Sequence, residues 1–239
     1  MLELKEVTAG YGGTTVIEDI DISLAQGEVV ALLGRNGVGK TTLLATIMGH
    51  TRLHRGAILF EGQDLVSVPI FERARRGIGY VPEEREIFPS LTVRENLLSM
   101  ARKGFWDLDR ILNVFPGLAV RLSNMGNQLS GGEQQMLSVA RALMLNPRIL
   151  LLDEPLEGLA PVVADQLLAA ISAVREADGL GIVIVEQQVR LALEFAPKAF
   201  VLERGRTSYD GDSKTLLADS DTMARVLGVS LAATLEADA

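Results

Sequence analysis

Gly34-Arg35-Asn36-Gly37-Val38-Gly39-Lys40-Thr41-Thr42 gathers glycines, an amine and two hydroxyls in one short stretch, a set suited to holding phosphate. Gly34, Gly37 and Gly39 let the backbone turn tightly with its N–H groups facing inward, which makes an anion nest. Arg35, Asn36 and Val38 complete that cradle. A helix opening near Lys40 adds the positive end of its dipole. The Lys40 amine can reach β- and γ-phosphates, and the Thr41 hydroxyl can ligate Mg²⁺. Farther on, Ile149-Leu150-Leu151-Leu152 is an apolar run that ends in Asp153-Glu154. Strand ends in open α/β sheets face the ligand crevice. Asp153 is then placed to hold Mg²⁺, directly or through water, and Glu154 to orient and deprotonate an attacking water. Phosphoryl transfer asks for little beyond such positioning and charge neutralisation. An acidic residue that closes a buried strand often has no catalytic role; here the upstream cradle decides for one.

Between the two lies Leu129-Ser130-Gly131-Gly132-Glu133-Gln134-Gln135. Ser130 and Glu133 make an S-x-x-E capping box, which opens a helix. A capped helix start with two glycines also offers N–H groups and a dipole to an anion.

These groups need a scaffold. Residues 7–11 and 16–24 alternate partially and read as strands, with Gly12-Gly13 turning between them and Gln26-Gly27-Glu28 as the next turn. Val29–Leu33 is continuously apolar, as in a strand buried on both faces. Lys40–Met48 reads as a helix stopped by Gly49. Residues 57–60 and 78–81 read as strands. Helical periodicity follows at 93–102, 108–115 and 133–145, with Thr92-Val93-Arg94-Glu95 as a second capping box. The region of about 84–145 is thus expected to be a helical lobe inserted into an α/β core. The core resumes with strand 148–153, helix 162–177, strands 182–185 and 199–202, and a hairpin turn at Glu203-Arg204-Gly205-Arg206. From Asp212 to 239 short helices and a fraying tail are expected. Strands alternating with helices predict a mostly parallel sheet covered on both faces.

Composition sets outer limits. The 239 residues suit one α/β domain with an inserted lobe, and 48% hydrophobic residues can bury a core. There is no Cys, which excludes disulfides and Cys-based metal sites and fits a reducing compartment. A net charge of -8 argues against a nucleic-acid partner. Arg73, Arg75 and Arg76 form a short, interrupted basic cluster, read as a solvated helix face. No apolar run approaches the roughly 18–20 residues that span a bilayer, and Met1 to Glu6 does not begin a signal peptide. A soluble, cytoplasmic protein is expected, with any membrane attachment made through a partner.

The three motifs, in this order and spacing, resemble the ATP-binding-cassette (ABC) family over nearly the whole chain. The resemblance implies a P-loop NTPase cassette: a mostly parallel core sheet, an N-terminal antiparallel β part and an inserted helical lobe. It implies one nucleotide-binding domain over 1–239, an ATP hydrolase, and ATP and Mg²⁺ as cofactors. In that family two cassettes pack head to tail. Each signature, here Leu129, Ser130, Gly131, Gly132 and Glu133, closes on the γ-phosphate of the partner's ATP. Tyr11 matches the aromatic residue that stacks on adenine, with an ordinary strand aromatic as the lesser alternative. Thr42 matches the hydroxyl that contacts the α-phosphate. Glu83, in Tyr80-Val81-Pro82-Glu83, stands where most cassettes have Gln; its carboxylate can still meet Mg²⁺ or water. Thr41, Asp153 and Glu83 are the implied metal ligands. Gln187, in Val185-Glu186-Gln187-Gln188, stands where most have the switch His. It joins Glu154 as an implied catalytic residue, able to hydrogen-bond a γ-phosphate oxygen but not to carry a proton's charge as His can. Ala160 replaces the usual D-loop Asp.

These departures imply a second cassette that carries the switch His. Val81-Pro82-Glu83, the signature through Met136, Gly158-Leu159-Ala160-Pro161 and Val185-Glu186-Gln187 resemble one branch, the smaller ATP-binding subunit of bacterial branched-chain amino-acid importers. Gly34 to Val38 and Arg85-Glu86-Ile87-Phe88-Pro89 also resemble the urea-importer relatives. Those tend to have Gln at position 83 and in the signature, so amino acids are favoured over urea or short-chain amides. The partners implied are a second ABC ATPase subunit (a homodimer stays open for the isolated chain), integral membrane permease subunits and, indirectly, a periplasmic binding protein. The implied place is peripheral, on the inner face of the cell membrane. Non-transport ABC proteins are the main alternative. Translation-type members usually carry two cassettes and repair-type members a long coiled coil, whereas this chain has one cassette and no sustained heptads. A nucleotide-binding module without catalysis stays open on Gln187 and Ala160.

Overall fold

Alternation of buried and exposed side chains builds the first sheet. In the computed structural model, which describes residues 1–227, β1 (Leu2–Tyr11) turns at Gly12-Gly13 into the antiparallel β2 (Thr14–Leu24). Leu2, Leu4, Val7, Ala9, Ile17, Ile20 and Leu24 supply the buried face. β3 (Val29–Leu33) is buried throughout and leads into α1 (Lys40–Met48), which Gly49 ends in a left-handed conformation. β4 (Arg52–Phe60) lies on the other side of β1, with the short β5 (Gln63–Asp64) at its edge, giving the order β2-β1-β4-β5. β1 and β4 each begin before the expected 7 and 57. Register shifts interrupt the alternation in β1, and Glu6 sits left-handed at φ 47. The first half of β4 is polar, so neither start shows in the hydrophobic pattern.

These elements belong to one compact unit, formed by Met1–Ile70 and the described residues from Val183 on; the other unit is Phe71–Ile182. α2 (Ile70–Arg75) opens the second unit. Its Arg73 is buried rather than part of the expected solvated face, while Arg75 is exposed and lies over the Phe71 ring. β6 (Ile78–Val81) pairs in parallel with a later strand. Between them come α3 (Val93–Ser99), α4 (Leu108–Val114), α5 (Pro116–Ala119), a single 3₁₀ turn at Gly126–Gln128 and α6 (Gly131–Leu143). Val93, Leu97, Ile111, Phe115, Leu118 and Leu137 form the apolar interior of this helical part. Asn96 is fully buried and wired: its amide takes the Phe88 N–H and donates to the carbonyls of Phe88, Leu91 and Thr92. The strand that pairs with β6 is β7 (Ile149–Asp153), in register from Ile78↔Ile149 to Val81↔Leu152. α7 (Pro161–Asp178) follows, with a proline at its first turn.

β8 (Gly181–Val185) carries the chain back into the first unit, where α8 (Val189–Phe195) leads to β9 (Lys198–Glu203). β9 runs parallel to β3 and antiparallel to β10 (Arg206–Asp212). Arg204 and Gly205, both at positive φ, make the two-residue turn between them that the sequence anticipates. α9 (Ser213–Ala218) and α10 (Ser220–Leu227) follow. The fraying tail expected after them lies outside the described residues. Among the described residues no helix is long and apolar enough to cross a membrane.

Candidate functional site

In the first unit the loop from β3 to α1 has the shape of a cradle that side chains would fill. A Cβ on Gly34 (φ +148) would lie 2.6 Å from the Leu202 carbonyl oxygen, and one on Gly39 (φ +109) 2.7 Å from Ile17 Cγ2. Only glycine meets both conditions at once, a positive φ and no room for a Cβ. Arg35, Asn36 and Gly37 are exposed along the rim and Val38 is half-buried. The buried Lys40 folds back over the loop, its Nζ donating to the carbonyls of Gly34 at 3.0 Å and Arg35 at 3.4 Å. No acidic residue stands in the first turn of α1, so nothing there competes with an anion at its dipole. Thr41 is exposed and Thr42 buried. A glycine-walled loop, a buried amine and an acid-free helix start fit a phosphate chain.

Two further expected residues lie in this unit. Tyr11 ends β1 and is 53% exposed. Gln187 is exposed just past β8, its N–H donating to the carboxylate of the buried Glu186 at 3.2 Å.

The second unit holds the carboxylates. Asp153 is fully buried at the end of β7, and the Tyr80 hydroxyl of the neighbouring β6 donates to its Oδ2 at 3.3 Å. Burial, then the Asp153 charge, pushes the Tyr80 phenol far above its usual range, so it remains a donor. Glu154 is almost buried and left-handed at φ 47, a conformation that costs a non-glycine residue about 1–3 kcal/mol. That turn at Glu154 redirects the chain sharply off the strand, and the Glu157 N–H closes it on the Glu154 carbonyl at 3.1 Å. Carboxylate oxygens of Glu83, Glu154 and Glu157 lie within 4.8 Å of one another. Glu83 is exposed, yet partial desolvation against its neighbours raises its carboxyl above the ordinary range, and the charges of Glu157 and Glu154 add to the rise. The structure therefore groups Glu83 with Glu154 and Glu157, and places Asp153 with Tyr80. Such crowding favours a proton or a cation, which suits the hard oxygen donors that Mg²⁺ takes.

The signature occupies the start of α6. Ser130 is its N-cap and accepts from the Glu133 N–H, while Glu133 accepts from the Ser130 N–H at 2.8 Å. The backbone N–H of Ser130 holds the Glu133 carboxyl below its usual range, and Arg121 at 3.0 Å contributes. Leu129 is buried as an anchor, whereas Ser130 and Gly131 are exposed. A Cβ on Gly132 would lie 2.7 Å from Val163 Cγ1. The helix start is thus fixed from behind and open at the front.

Tyr80, Glu157 and Arg85 escape sequence reasoning. Arg85 donates through Nε to Gln135 at 3.0 Å, and its carbonyl takes the Ser138 hydroxyl at 2.6 Å, which ties the segment after Glu83 to α6. Each is a single residue brought in by strand pairing or helix packing, with no spacing of its own to reveal it.

A family model described as ABC transporter matches residues 17–157, which contain the cradle, the signature and Asp153-Glu154. The chain is 39% identical over 236 residues to the high-affinity branched-chain amino acid transport ATP-binding protein BraG of Pseudomonas aeruginosa, covering 95% of this chain and 100% of that one. It is 34% identical to the lipopolysaccharide export system ATP-binding protein LptB of Haemophilus influenzae, over 95% of this chain and 97% of that one. Among solved structures, a dimeric post-hydrolysis state of the ATP-binding cassette MJ0796 bound to ADP and Pi matches with a TM-score of 0.78 at 25% identity. The match covers 89% of this chain and 99% of that one.

Proposed function

The chain belongs to the ABC transporter family and is an ATP hydrolase, and from that premise we propose that it powers a membrane importer of branched-chain amino acids. The observation that carries this reading is end-to-end likeness to an amino-acid transport subunit. Glu83 and the Gly158-Leu159-Ala160-Pro161 turn support it. In this reading Lys40 binds the β- and γ-phosphates, the loop N–H groups from Gly34 to Gly39 cradle them, and Thr42 contacts the α-phosphate. Thr41 and Asp153 would be the residues to hold Mg²⁺, with Glu83 beside the catalytic carboxylate. Mg²⁺, when bound, neutralises phosphate charge as the terminal bond breaks. Tyr80 holds Asp153 in place. Glu154 takes a proton from the attacking water, and Gln187 hydrogen-bonds a γ-phosphate oxygen. Tyr11 stacks on adenine.

ATPases of this kind work as dimers with membrane permease subunits. We place the chain as one half of a heterodimer, peripheral on the inner face of the membrane, with residues 84–145 meeting the permease. The exposed start of α6 then serves the partner's ATP. A second reading, lipopolysaccharide export, rests on the likeness to LptB. Reconstitution with the co-purifying permeases and binding protein separates the two. Leucine-loaded binding protein should raise ATP turnover several-fold; stimulation by lipopolysaccharide alone would remove the importer reading.

A further inference from the structure

His54 lies in β4, and the pairing of β4 with β1 passes over it: Ala9 faces Leu53 and Thr8 faces Arg55. It is the extra residue of a bulge, a device that re-aims a side chain out of the regular ladder. The re-aimed ring reaches across the end of β1 to the β1–β2 turn. Its Nε2 lies 3.2 Å from the Gly12 carbonyl oxygen, and its Nδ1 lies 3.2 Å from the Thr15 hydroxyl. A carbonyl can only accept, so Nε2 carries the hydrogen and donates to Gly12; in the neutral ring Nδ1 then accepts from Thr15. One imidazole thus bridges the first residue of the turn and the second residue of β2, beside the Tyr11↔Thr14 pair that closes the ladder. A Cβ on Gly12 or Gly13 would find nothing within 4 Å, so the tip of the turn stands in open space.

Tyr11 immediately precedes the turn and is 53% exposed. A half-exposed ring takes its position from its main chain more than from packing. We propose that His54 is a positioning residue for adenine: it fixes the β1–β2 turn so that Tyr11 presents its ring face to the base. This rests on the reading of Tyr11 as the adenine-stacking residue. Ordering a mobile loop on binding reduces affinity, and a pre-formed clip removes that cost.

The test compares two probes on the full chain by calorimetry with Mg²⁺ present: ATP, and inorganic tripolyphosphate, which has the phosphates without the base. His54→Ala should weaken ATP about threefold to tenfold, the range expected for losing one or two neutral hydrogen bonds. Tripolyphosphate affinity should not change. His54→Gln, whose amide can donate to Gly12 and accept from Thr15, should stay near wild type. In a Tyr11→Ala background His54→Ala should add nothing, because coupled residues are not additive. If His54→Ala does not fold, Thr15→Val removes one of the two hydrogen bonds and carries the same prediction at smaller size. Equal weakening of both probes, full additivity with Tyr11→Ala, or unchanged ATP affinity would overturn the proposal. Tyr11→Ala without effect on ATP would remove the stacking reading beneath it. Weakening by Tyr11→Ala with His54→Ala and Thr15→Val silent would remove the clip alone.

Discussion

In the proposed site Lys40 makes its own loop part of the phosphate cradle. Its amine already bonds two loop carbonyls, so removing it withdraws a phosphate charge and loosens the cradle together. Hydrogen bonds from charged groups are worth about 1.5–3 kcal/mol, so Lys40→Ala should weaken ATP binding on the order of tenfold to a hundredfold, measured by calorimetry. Glu83 carries a different kind of consequence. Its pKa in the folded chain lies above the ordinary value, through partial desolvation and the neighbouring charges of Glu157 and Glu154, although the residue is exposed. The stability linked to it is fully present below the unfolded pKa and is lost as pH rises through the folded one. Glu83→Gln should therefore raise the thermal midpoint relative to wild type at pH 7 and give no advantage at pH 4. A larger advantage at pH 4 would show that the carboxylates do not oppose one another. The proposed site residues that come in runs can be picked out from the sequence: Gly34 to Thr42, Leu129 to Glu133 and Asp153-Glu154. Tyr80 and Glu157 cannot, since a lone tyrosine becomes a carboxylate brace only when β6 pairs with β7.

At the scale of elements, two helices announce their starts. Thr92 with Glu95 and Ser130 with Glu133 form the reciprocal bonds that the four-residue pattern predicts. Their carboxyls sit below the usual range because backbone N–H groups hold them charged, so this support is lost as pH falls through their folded pKa values. Thr92→Ala removes one cap away from the signature. It should cost about 1 kcal/mol and lower the thermal midpoint by about 2–4 °C in a chain of this size. ATP affinity should not change; a drop would mean that α3 bears on the nucleotide. Strands with continuous apolar runs, β3 and β7, were legible nearly to the residue. Elements that the sequence left out have a physical reason in common. β10 presents no fully buried side chain from Arg206 to Asp212, α5 is too short to display a helical period, and α8 has no side-chain cap to mark its start. Their identity comes from what they pair with.

At the scale of the whole molecule, the proposed reading gives the chain two unequal offerings to catalysis. Its signature helix is capped, anchored by Leu129 and open at Ser130 and Gly131, which suits it to a neighbour's triphosphate. In that reading its own hydrolytic site departs from the resemblance at Gln187 and Ala160, in the places of a chargeable imidazole and a carboxylate. A Gln can orient a γ-phosphate but cannot share a proton with it. Removing only the base should expose the assembly step. Glu154→Gln should still bind ATP and should run as a stable dimer in size-exclusion chromatography with ATP and Mg²⁺, with turnover lost. A variant that turns over normally would exclude Glu154 as the base. The unequal sites then make a stronger claim. The purified chain alone should hydrolyse ATP slowly and without cooperativity. Adding a second cassette that carries the switch His, together with the permease subunits, should raise turnover at least tenfold and make it cooperative in ATP. The gain should survive Gln187→Ala in this chain and collapse when the partner's His is removed, because the imidazole then works only on the partner's side. Rapid, cooperative hydrolysis by this chain alone would overturn the unequal motor and leave a symmetric dimer in its place.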